Sequence, residues 1–227
     1  MWARIELLLG KANIAKLQNS KVAVIGVGGV GSYVVEGLVR SGVGHLVLLD
    51  GDIVCMSNLN RQLQATWQTL GEKKIVALKE RMLAISPKLQ VELIDAYYSG
   101  AATAEFFSRT YDYVADAADN IEAKVNLAVE CAKRAIPIIA SMGTGNKLDP
   151  TQLEVADIYQ TSVDPLARIM RKKLKMLGVK QLKVVYSKEK PISAPDKMIG
   201  SVPFVPAVAG MIMAGEIVKD ICRKGND

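Results

Sequence analysis

A glycine-rich turn between a buried strand and a helix constrains the fold of this chain more than any other feature. Residues 21–25 read KVAVI, a continuous apolar run that is typical of a strand covered on both faces. A helical pattern then runs from about Val30 to Ser41. Between the two lie the glycines of a G-x-G-x-x-G spacing, Gly26, Gly28 and Gly31. The combination predicts a βαβ unit whose turn binds a phosphate group.

Asp50 supports a nucleotide-binding interpretation of this turn. It ends the next apolar strand, 45–49, and follows Gly31 by 19 residues. Glycines let the backbone approach a phosphate closely, and the first turn of the helix offers free N–H groups to the anion. A carboxylate at the end of the second strand can accept hydrogen bonds from ribose hydroxyls. The fingerprint fits NAD and ATP equally, so it does not choose between them.

Alternating strand and helix patterns continue beyond this unit. Strands are predicted at 89–94, 111–115, 136–140, 151–158 and 182–187, and helices near 100–108, 120–134, 164–178 and 206–222. The pattern predicts the α/β class: a Rossmann-like, mostly parallel sheet with helices on both faces and a C-terminal α/β extension. We divide the chain into an N-terminal helical segment (1–20), a Rossmann-like ATP-binding domain (21–150) and an extension of that domain (151–227). The loop 188–200 is expected to be mobile.

Bulk properties exclude several classes of protein. Half of the 227 residues are hydrophobic, which is enough for a full core and excludes a disordered or fibrous chain. The chain has no signal-peptide pattern, and prolines, glycines and Glu216 interrupt its most apolar stretch, 202–218. We therefore expect a cytoplasmic protein without stable membrane association. Three widely spaced cysteines, Cys55, Cys131 and Cys222, fit neither a disulfide framework nor a zinc pair.

Four segments carry a resemblance to a known family. They are GVGGVGS at 26–32, DGDIVCMSNLNRQ at 50–62, Lys74, and DAADN at 116–120. Together they resemble the ubiquitin-activating-enzyme-like adenylating family, which includes the activators of the thiamin and molybdopterin sulfur carriers. The resemblance implies that these segments bind ATP and Mg²⁺.

The resemblance also implies individual roles. Asp119 would hold Mg²⁺, and it is a predicted catalytic residue together with Arg61 and Lys74. The implied cofactor-binding set is Gly26, Gly28, Gly29, Gly31, Asp50, Asp52, Asn58, Arg61, Gln62, Lys74 and Asn120. Taken singly, Arg61 or Lys74 is the kind of side chain that solvent usually surrounds, and Asp119 with Asn120 would suit a helix cap. The prediction therefore rests on their joint spacing.

Adenylation of a carboxylate requires cations of this kind. The attacking carboxylate is repelled by the α-phosphate, and pyrophosphate must leave with its negative charge. Basic side chains and a metal ion relieve both barriers. In the family, the arginine of this motif reaches the nucleotide of the neighbouring subunit, which implies a homodimer.

The whole chain, from residues 4–10 to the last predicted helix, also resembles the bacterial tRNA threonylcarbamoyladenosine dehydratases. The shared segments are RIELLLG (4–10), SMGTGNKLDP (141–150), TSVDPLARIMRKKLK (161–175), LKVVYSKE (182–189) and FVPAVAGMIMAGEIVKDI (204–221). The resemblance implies that ATP activates the threonylcarbamoyl carboxylate on the tRNA adenosine beside the anticodon as an acyl adenylate. Loss of water would then close a ring. Sulfur-relay proteins are a further class of partner that the resemblance leaves open.

The distribution of cysteines is consistent with that reaction. Intramolecular attack on an acyl adenylate has a high effective concentration, so it needs no enzyme nucleophile. Relatives that form thioesters or acyl persulfides place a cysteine in a loop after the nucleotide domain. No cysteine occurs here between Cys131 and Cys222, and Cys131 lies at helical spacing in an apolar pattern. We therefore interpret Cys131 as a packing residue.

Positive charge is concentrated in one stretch. Nine Lys or Arg and one acid lie from Arg168 to Lys190, whereas the whole chain carries a net charge of +6. The predicted tRNA-binding residues are Arg168, Arg171, Lys172 and Lys175. Because no aromatic platform is interleaved with these charges, we expect phosphate contact and not base stacking. The alternative is an ordinary solvated helix face.

Three other functions remain open at this point. An adenylyltransferase for a ubiquitin-like sulfur carrier would share the ATP site, but its usual zinc-binding CxxC pairs are absent. An NAD-dependent oxidoreductase would leave Arg61, Lys74 and Asp119 unexplained. A catalytically silent binding module has no need of these residues. Gln64 stands where the family often has a histidine, and the single histidine, His45, begins a strand and is interpreted as structural.

Overall fold

A seven-stranded sheet forms the centre of the computed structural model, which describes residues 2–192 and 199–223. Each strand is a short run rich in β-branched or aliphatic residues, as expected for strands buried between layers of helices. The strands are β1 (Lys21–Ile25), β2 (His45–Leu49), β3 (Gln90–Ile94), β4 (Tyr113–Asp116), β5 (Ile138–Ser141), β6 (Leu153–Asp157) and β7 (Lys183–Ser187).

Eight α-helices cover this sheet within the described residues. They are α1 (Ala3–Leu9), α2 (Lys11–Asn19), α3 (Gly31–Ser41), α4 (Lys74–Ile85), α5 (Thr103–Phe106), α6 (Ile121–Lys133), α7 (Pro165–Met176) and α8 (Phe204–Arg223). Local signals set several of their ends. Gly42 closes α3 in the left-handed conformation, and Asp164 caps α7 ahead of Pro165.

The strand order places a crevice beside the glycine turn. The order is β3-β2-β1-β4-β5-β7-β6, and all pairs are parallel except β6 with β7. The chain proceeds outward from β1 in one direction to β3, then crosses back to β4 on the other side. Ligands of such sheets bind at the carboxyl ends of the strands where the order reverses. This point lies between β1 and β4, and the predicted fold class is confirmed.

The core lies on both faces of the sheet. On one face, Leu38 of α3, Leu78 of α4 and Met213 of α8 belong to one buried cluster. On the other face, α5 and α6 supply Phe106 and Leu127 to a second cluster, and α7 packs in a third. The sheet is therefore held from both sides, which fixes its carboxyl edge as a rigid platform.

Helix α8 approaches the backbone of the glycine turn directly. A methyl group placed on Gly210 would lie 2.4 Å from the carbonyl oxygen of Val30, so only glycine allows this approach. A methyl group placed on Gly29 would lie 3.3 Å from Cβ of Pro206. Helix α8 therefore packs against the glycine turn that follows β1.

The predicted elements are present, with small shifts at their ends. The predicted helix 100–108 consists of a 3-10 turn, Gly100–Ala102, followed by the short α5. The division at residues 20 and 150 stays a prediction, although β6 and β7 extend the same sheet. Residues 193–198 of the loop expected to be mobile lie outside the described residues. Within the described residues, no helix has the length and apolarity needed to cross a membrane.

Candidate nucleotide-binding site

The glycine turn has its shape because side chains would not fit in it. Gly26 has φ +79°, and a methyl group there would lie 2.7 Å from the carbonyl oxygen of Ala117. A methyl group on Gly31 would lie 1.8 Å from the carbonyl oxygen of Gly26. These two glycines let the turn pack against the loop that follows β4, which brings the first turn of α3 to the carboxyl edge of the sheet.

The other two glycines of the motif face the polar loop after β2. A methyl group on Gly28 would lie 3.6 Å from Nε2 of Gln62, and one on Gly29 would lie 3.4 Å from Cδ of Arg61. The structure therefore brings Arg61 and Gln62 to the glycine turn, as the resemblance implied. The free N–H groups of a helix N-terminus and a guanidinium at one place form an environment suited to phosphate.

Asp50 joins the second strand to the glycine turn. The N–H of Val27 donates to its Oδ2 at 2.8 Å, and the N–H of Asp52 donates to its Oδ1 at 2.8 Å. The side chain is 8% exposed. A carboxylate offers about four acceptor positions, so two remain for the hydroxyl groups of a ribose. Asp50 thus positions the turn in addition to its predicted contact with the ligand.

Lys74 is held in the site by Asp52. Its Nζ lies 2.7 Å from Oδ2 of Asp52, and the hydroxyl of Tyr97 donates to Oδ1 of the same carboxylate at 2.5 Å. Burial opposes ionisation of Asp52, but the hydrogen bonds from Lys74 and Tyr97 outweigh it and hold the pKa of Asp52 below its ordinary value. The ammonium group of Lys74 keeps two further N–H donors for an anion.

Tyr97 is a residue that sequence reasoning missed. Its ring is 68% exposed and lies against Gly51, where a methyl group would come within 3.0 Å of the ring. The hydrogen bond to Asp52, and then the charges of Asp52, Asp50 and Asp119, raise the pKa of Tyr97. The sequence could have indicated Tyr97, because it lies three residues after β3, at the carboxyl edge of the sheet where ligands bind.

Arg61 lies over the glycine turn of its own chain. Its guanidinium donates to the carbonyl oxygen of Ser57 at 2.7 Å and to Oδ1 of Asn60 at 2.9 Å. Whether this arginine also reaches the nucleotide of a neighbouring subunit stays a prediction. Asn58 is 8% exposed, and its Oδ1 accepts the N–H of Cys55 at 3.0 Å, which leaves its NH₂ group as the donor toward an anion.

Two buried glutamines, Gln62 and Gln64, lie against the glycine turn. Nε2 of Gln64 donates to the carbonyl oxygen of Val27 at 2.7 Å, so Gln64 fixes the first residues of the glycine turn. The Oε1 atoms of Gln62 and Gln64 are buried and have no hydrogen-bond partner among the described residues. Buried acceptors of this kind are rare in folded proteins, and a bound ligand with its waters can satisfy them.

The loop after β4 carries Asp119 at the same edge. Asp116, at its start, pairs with Lys124 at 3.1 Å, and both side chains are fully buried. The Lys124 ammonium also donates to the carbonyl oxygen of Ala118 at 3.1 Å. This clamp fixes the turn that presents Asp119, whose own side chain is exposed. Burial raises the pKa of Asp116, although Lys124 opposes that shift.

The residues of this edge fit a magnesium ion that is shared with phosphate groups. Mg²⁺ keeps several waters and usually takes one or two carboxylates together with phosphate oxygens. Asp119 supplies one exposed carboxylate beside the glycine turn. Among the described residues, no group of three His, Cys, Asp or Glu side chains could hold a metal alone. Asn120, the adjacent residue, caps α6 through its Oδ1, which accepts the N–H of Ala123 at 3.0 Å.

The predicted tRNA-binding residues lie on α7, outside the nucleotide site. Arg168, Lys172 and Lys175 are exposed and share one face, because they are four and three residues apart. Arg171 differs from them, since it is half-buried and donates to the carbonyl oxygen of Thr161 at 2.9 Å. Its charge lies near this face, but its side chain also fixes the start of the helix.

Two of the three cysteines, Cys131 and Cys222, are buried thiols. Burial raises the pKa of Cys131 to about 12, and burial also raises the pKa of Cys222. A thiol with so high a pKa is protonated at neutral pH and inert. Cys55 is exposed in the loop after β2. Cys55 contacts the site through its backbone N–H, which donates to Oδ1 of Asn58.

The fold and this edge together define a Rossmann-type nucleotide-binding protein whose motif loops match those of the adenylating enzymes. The chain belongs to the ThiF family, whose model matches residues 3–227. It is 42% identical to the tRNA threonylcarbamoyladenosine dehydratase of Bacillus subtilis (strain 168), over 98% of this chain and 94% of that protein. The family prediction made from the four motif segments is confirmed.

Solved structures are similar over nearly the whole chain. The tRNA N6-threonylcarbamoyladenosine dehydratase of Escherichia coli in complex with AMP has a TM-score of 0.91 and 31% identity, covering 96% of this chain and 92% of that one. The same enzyme in complex with ATP has a TM-score of 0.91 and 31% identity, covering 97% of this chain and 93% of that one. The similarity includes β6, β7 and α7, beyond the nucleotide-binding half.

Proposed function

We propose that this chain is an ATP-dependent tRNA threonylcarbamoyladenosine dehydratase. It activates the threonylcarbamoyl carboxylate on a tRNA adenosine as an acyl adenylate and then closes a ring with loss of water. The observation that carries this proposal is the near full-length similarity to a dehydratase of that name, together with an intact set of site residues at one sheet edge. An NAD-dependent reaction would not use the cations gathered at that edge.

The nucleotide lies along the carboxyl ends of β1, β2 and β4. Asp50 accepts the ribose hydroxyls, and the N–H groups of the first turn of α3 face the phosphates. Arg61 and Lys74 supply positive charge from two sides. Their side chains are already held in place by Ser57 and Asp52, so little reorganisation precedes binding. When Mg²⁺ is bound, Asp119 holds it and the ion neutralises phosphate charge.

The substrate carboxylate attacks the α-phosphorus, and pyrophosphate leaves. An oxygen of the carboxylate becomes bonded to AMP, which turns a poor leaving group into a good one. A nucleophile within the same threonylcarbamoyl group then attacks the activated carbon and expels AMP. The chain contributes position and charge to both steps and no covalent bond, in agreement with the inert Cys131.

The partners follow from this substrate. The exposed basic face of α7 binds the tRNA backbone through Arg168, Lys172 and Lys175, and Arg171 adds charge beside them. We propose a homodimer as the working form, as the resemblance to the adenylating family implies. The enzyme acts in the cytoplasm on tRNA, and sulfur-relay proteins are its remaining proposed partners.

Mass spectrometry of tRNA nucleosides tests the proposal. Purified protein is incubated with Mg·ATP and tRNA that carries threonylcarbamoyladenosine, and the nucleosides are released under mild conditions. We expect the modified nucleoside to lose about 18 Da, one water, with AMP and pyrophosphate formed in equal amounts. Unchanged nucleoside, or adenylation of a ubiquitin-like carrier in a parallel reaction, would assign the chain to another branch of the family.

A further inference from the structure

A second fully buried ion pair lies outside the nucleotide site. Nζ of Lys147 is 2.7 Å from Oδ2 of Asp164, and the two side chains are 1% and 0% exposed. Burying two charges is costly, and well-packed apolar residues often stabilise a core equally well. A pair at such a place therefore calls for a role beyond stability.

Lys147 joins the loop after β5 to the start of the basic helix. Its ammonium donates to the carbonyl oxygen of Gly143 at 2.6 Å as well as to Asp164. The other oxygen of Asp164 accepts the N–H of Ala167 at 2.9 Å and so caps α7. One lysine thus holds residues 142–149 and the first turn of α7 as a single unit.

The same loop is bonded to the segment that follows residue 198. The N–H of Asn146 donates to the carbonyl oxygen of Gly200 at 2.8 Å, and Oδ1 of Asn146 accepts the N–H of Gly200 at 2.6 Å. Asn146 has φ +57°, a conformation that asparagine tolerates better than most residues. The loop is therefore shaped to make both of these bonds.

The segment after residue 198 reaches the arginine of the nucleotide site. Nδ2 of Asn60 donates to the carbonyl oxygen of Ser201 at 2.8 Å, while Oδ1 of Asn60 accepts from the guanidinium of Arg61 at 2.9 Å. A path of direct hydrogen bonds and adjacent residues thus runs from Arg61 through Asn60, Ser201, Gly200, Asn146 and Lys147 to Asp164 and α7. We call this path the arginine-to-helix link.

The loop also has little freedom to move on its own. The carboxylate of Glu189 accepts the N–H groups of Leu148 and Asp149 at 2.9 Å each. A methyl group on Gly143 would lie 3.1 Å from Oδ2 of Asp164, so the backbone lies close against the pair. Because β1, β4 and β5 are parallel, this loop lies at the same sheet edge as the glycine turn and the Asp119 loop.

We propose that Lys147 and Asp164 are a positioning pair that keeps the tRNA-binding face of α7 in register with Arg61 and the glycine turn. The pair touches neither nucleotide nor tRNA. It sets the distance between the surface that binds the tRNA backbone and the phosphorus that the acyl group attacks. This inference rests on the proposed function and names the residues that couple its two surfaces.

The first test replaces Lys147 with methionine, which keeps the length of the side chain and removes the ammonium. We expect Mg·ATP affinity, measured by calorimetry without tRNA, to stay within about twofold of the wild type, whereas kcat/KM for tRNA falls about tenfold or more. The matched control is Lys133→Met, a 64% exposed lysine of α6, which should change neither quantity.

Hydrogen exchange provides a measure that does not depend on activity. In Lys147→Met, faster exchange is expected at residues 143–149, in the first turn of α7, and at Gly200, whose N–H is bonded to Asn146. A merely structural lysine would loosen only its neighbours. Faster exchange confined to residues 143–149 would overturn the link, and so would equal losses of ATP affinity and tRNA turnover.

A second variant keeps the test valid if Lys147→Met folds poorly. Asn146→Gly accepts the positive φ and removes only the side-chain bond to Gly200. We expect about a threefold lower kcat/KM for tRNA with unchanged ATP affinity, because the backbone bond to Gly200 remains. Wild-type turnover in this variant would count against the link. If the wild-type protein itself forms no dehydrated nucleoside, the proposed function fails, and the exchange result still decides whether the link exists.

Discussion

Asp50 illustrates how one side chain can serve the fold and the site together. Its two carboxylate oxygens accept the N–H groups of Val27 and Asp52, and they remain open to further donors. Gln64 acts in the same way, through its bond to the carbonyl oxygen of Val27. The phosphate-binding turn is thus positioned before any nucleotide arrives, which lowers the reorganisation cost of catalysis.

Arg61 is the residue on which the adenylation step depends most directly. We predict that Arg61→Ala lowers ATP–pyrophosphate exchange by about a hundredfold or more, since a fixed cation at a developing charge contributes on that scale. The guanidinium bonds only the oxygens of Ser57 and Asn60 among the described residues, so circular dichroism and the melting temperature should change little. Exchange at the wild-type rate would reject its phosphate role.

At the scale of single elements, helical periodicity gives α7 two faces, a buried apolar face and an exposed basic face. Ala167, Met170 and Leu174 are buried toward the sheet, while Arg168, Lys172 and Lys175 lie on the exposed face. The sequence pattern alone could not distinguish Arg171 from the other three basic residues. Its bond to Thr161 shows that it also anchors the loop before the helix.

The exposed face of α7 allows a salt-dependence experiment. We predict that the triple change Arg168→Gln, Lys172→Gln and Lys175→Gln weakens tRNA binding and lowers the slope of log Kd against log salt by about two to three, nearly one for each lost phosphate contact. Filter binding across a salt series measures both quantities. Arg171 is left unchanged so that the helix stays anchored. An unchanged slope would place the tRNA on another surface.

Helices α3 and α4 are joined by a buried carboxylate whose effect depends on pH. Glu36 of α3 accepts from Arg81 of α4 at 3.0 Å and from Arg40 at 2.7 Å. Burial opposes ionisation, but the bonds from Arg81 and Arg40 outweigh it and hold the pKa of Glu36 below the ordinary value of 4.5.

The contribution of Glu36 to the free energy of unfolding should depend on pH with a defined sign. A carboxyl group with a lowered pKa in the folded state stabilises the fold above its ordinary pKa, and the contribution disappears as the pH falls through the folded value. We predict that Glu36→Gln is less stable than the wild type at neutral pH and that the difference shrinks below pH 4.5. Urea denaturation at several pH values measures it. A difference that stays constant with pH would contradict the lowered pKa.

At the scale of the whole molecule, local sequence patterns were sufficient to predict the fold. They did not predict which side chains from distant segments contact one another. The strands 21–25 and 45–49 were predicted with the bounds that the structure has, because a buried parallel strand is a continuous apolar run. Tyr97 meets Asp52 across 45 residues, and Lys147 meets Asp164 across 17. Periodicity carries no information on which distant side chains meet, and the motif resemblance covered only the residues that the family shares.

The approach of α8 to the glycine turn has a consequence for biosynthesis. The turn spans residues 26–31, whereas Pro206 and Gly210, which pack directly on it, follow much later in the chain. Chains are synthesised at about 5–20 residues per second, so the glycine turn is present for roughly ten seconds or more before α8 can pack against it. We therefore expect the glycine turn to reach its final packing only after α8 has been synthesised.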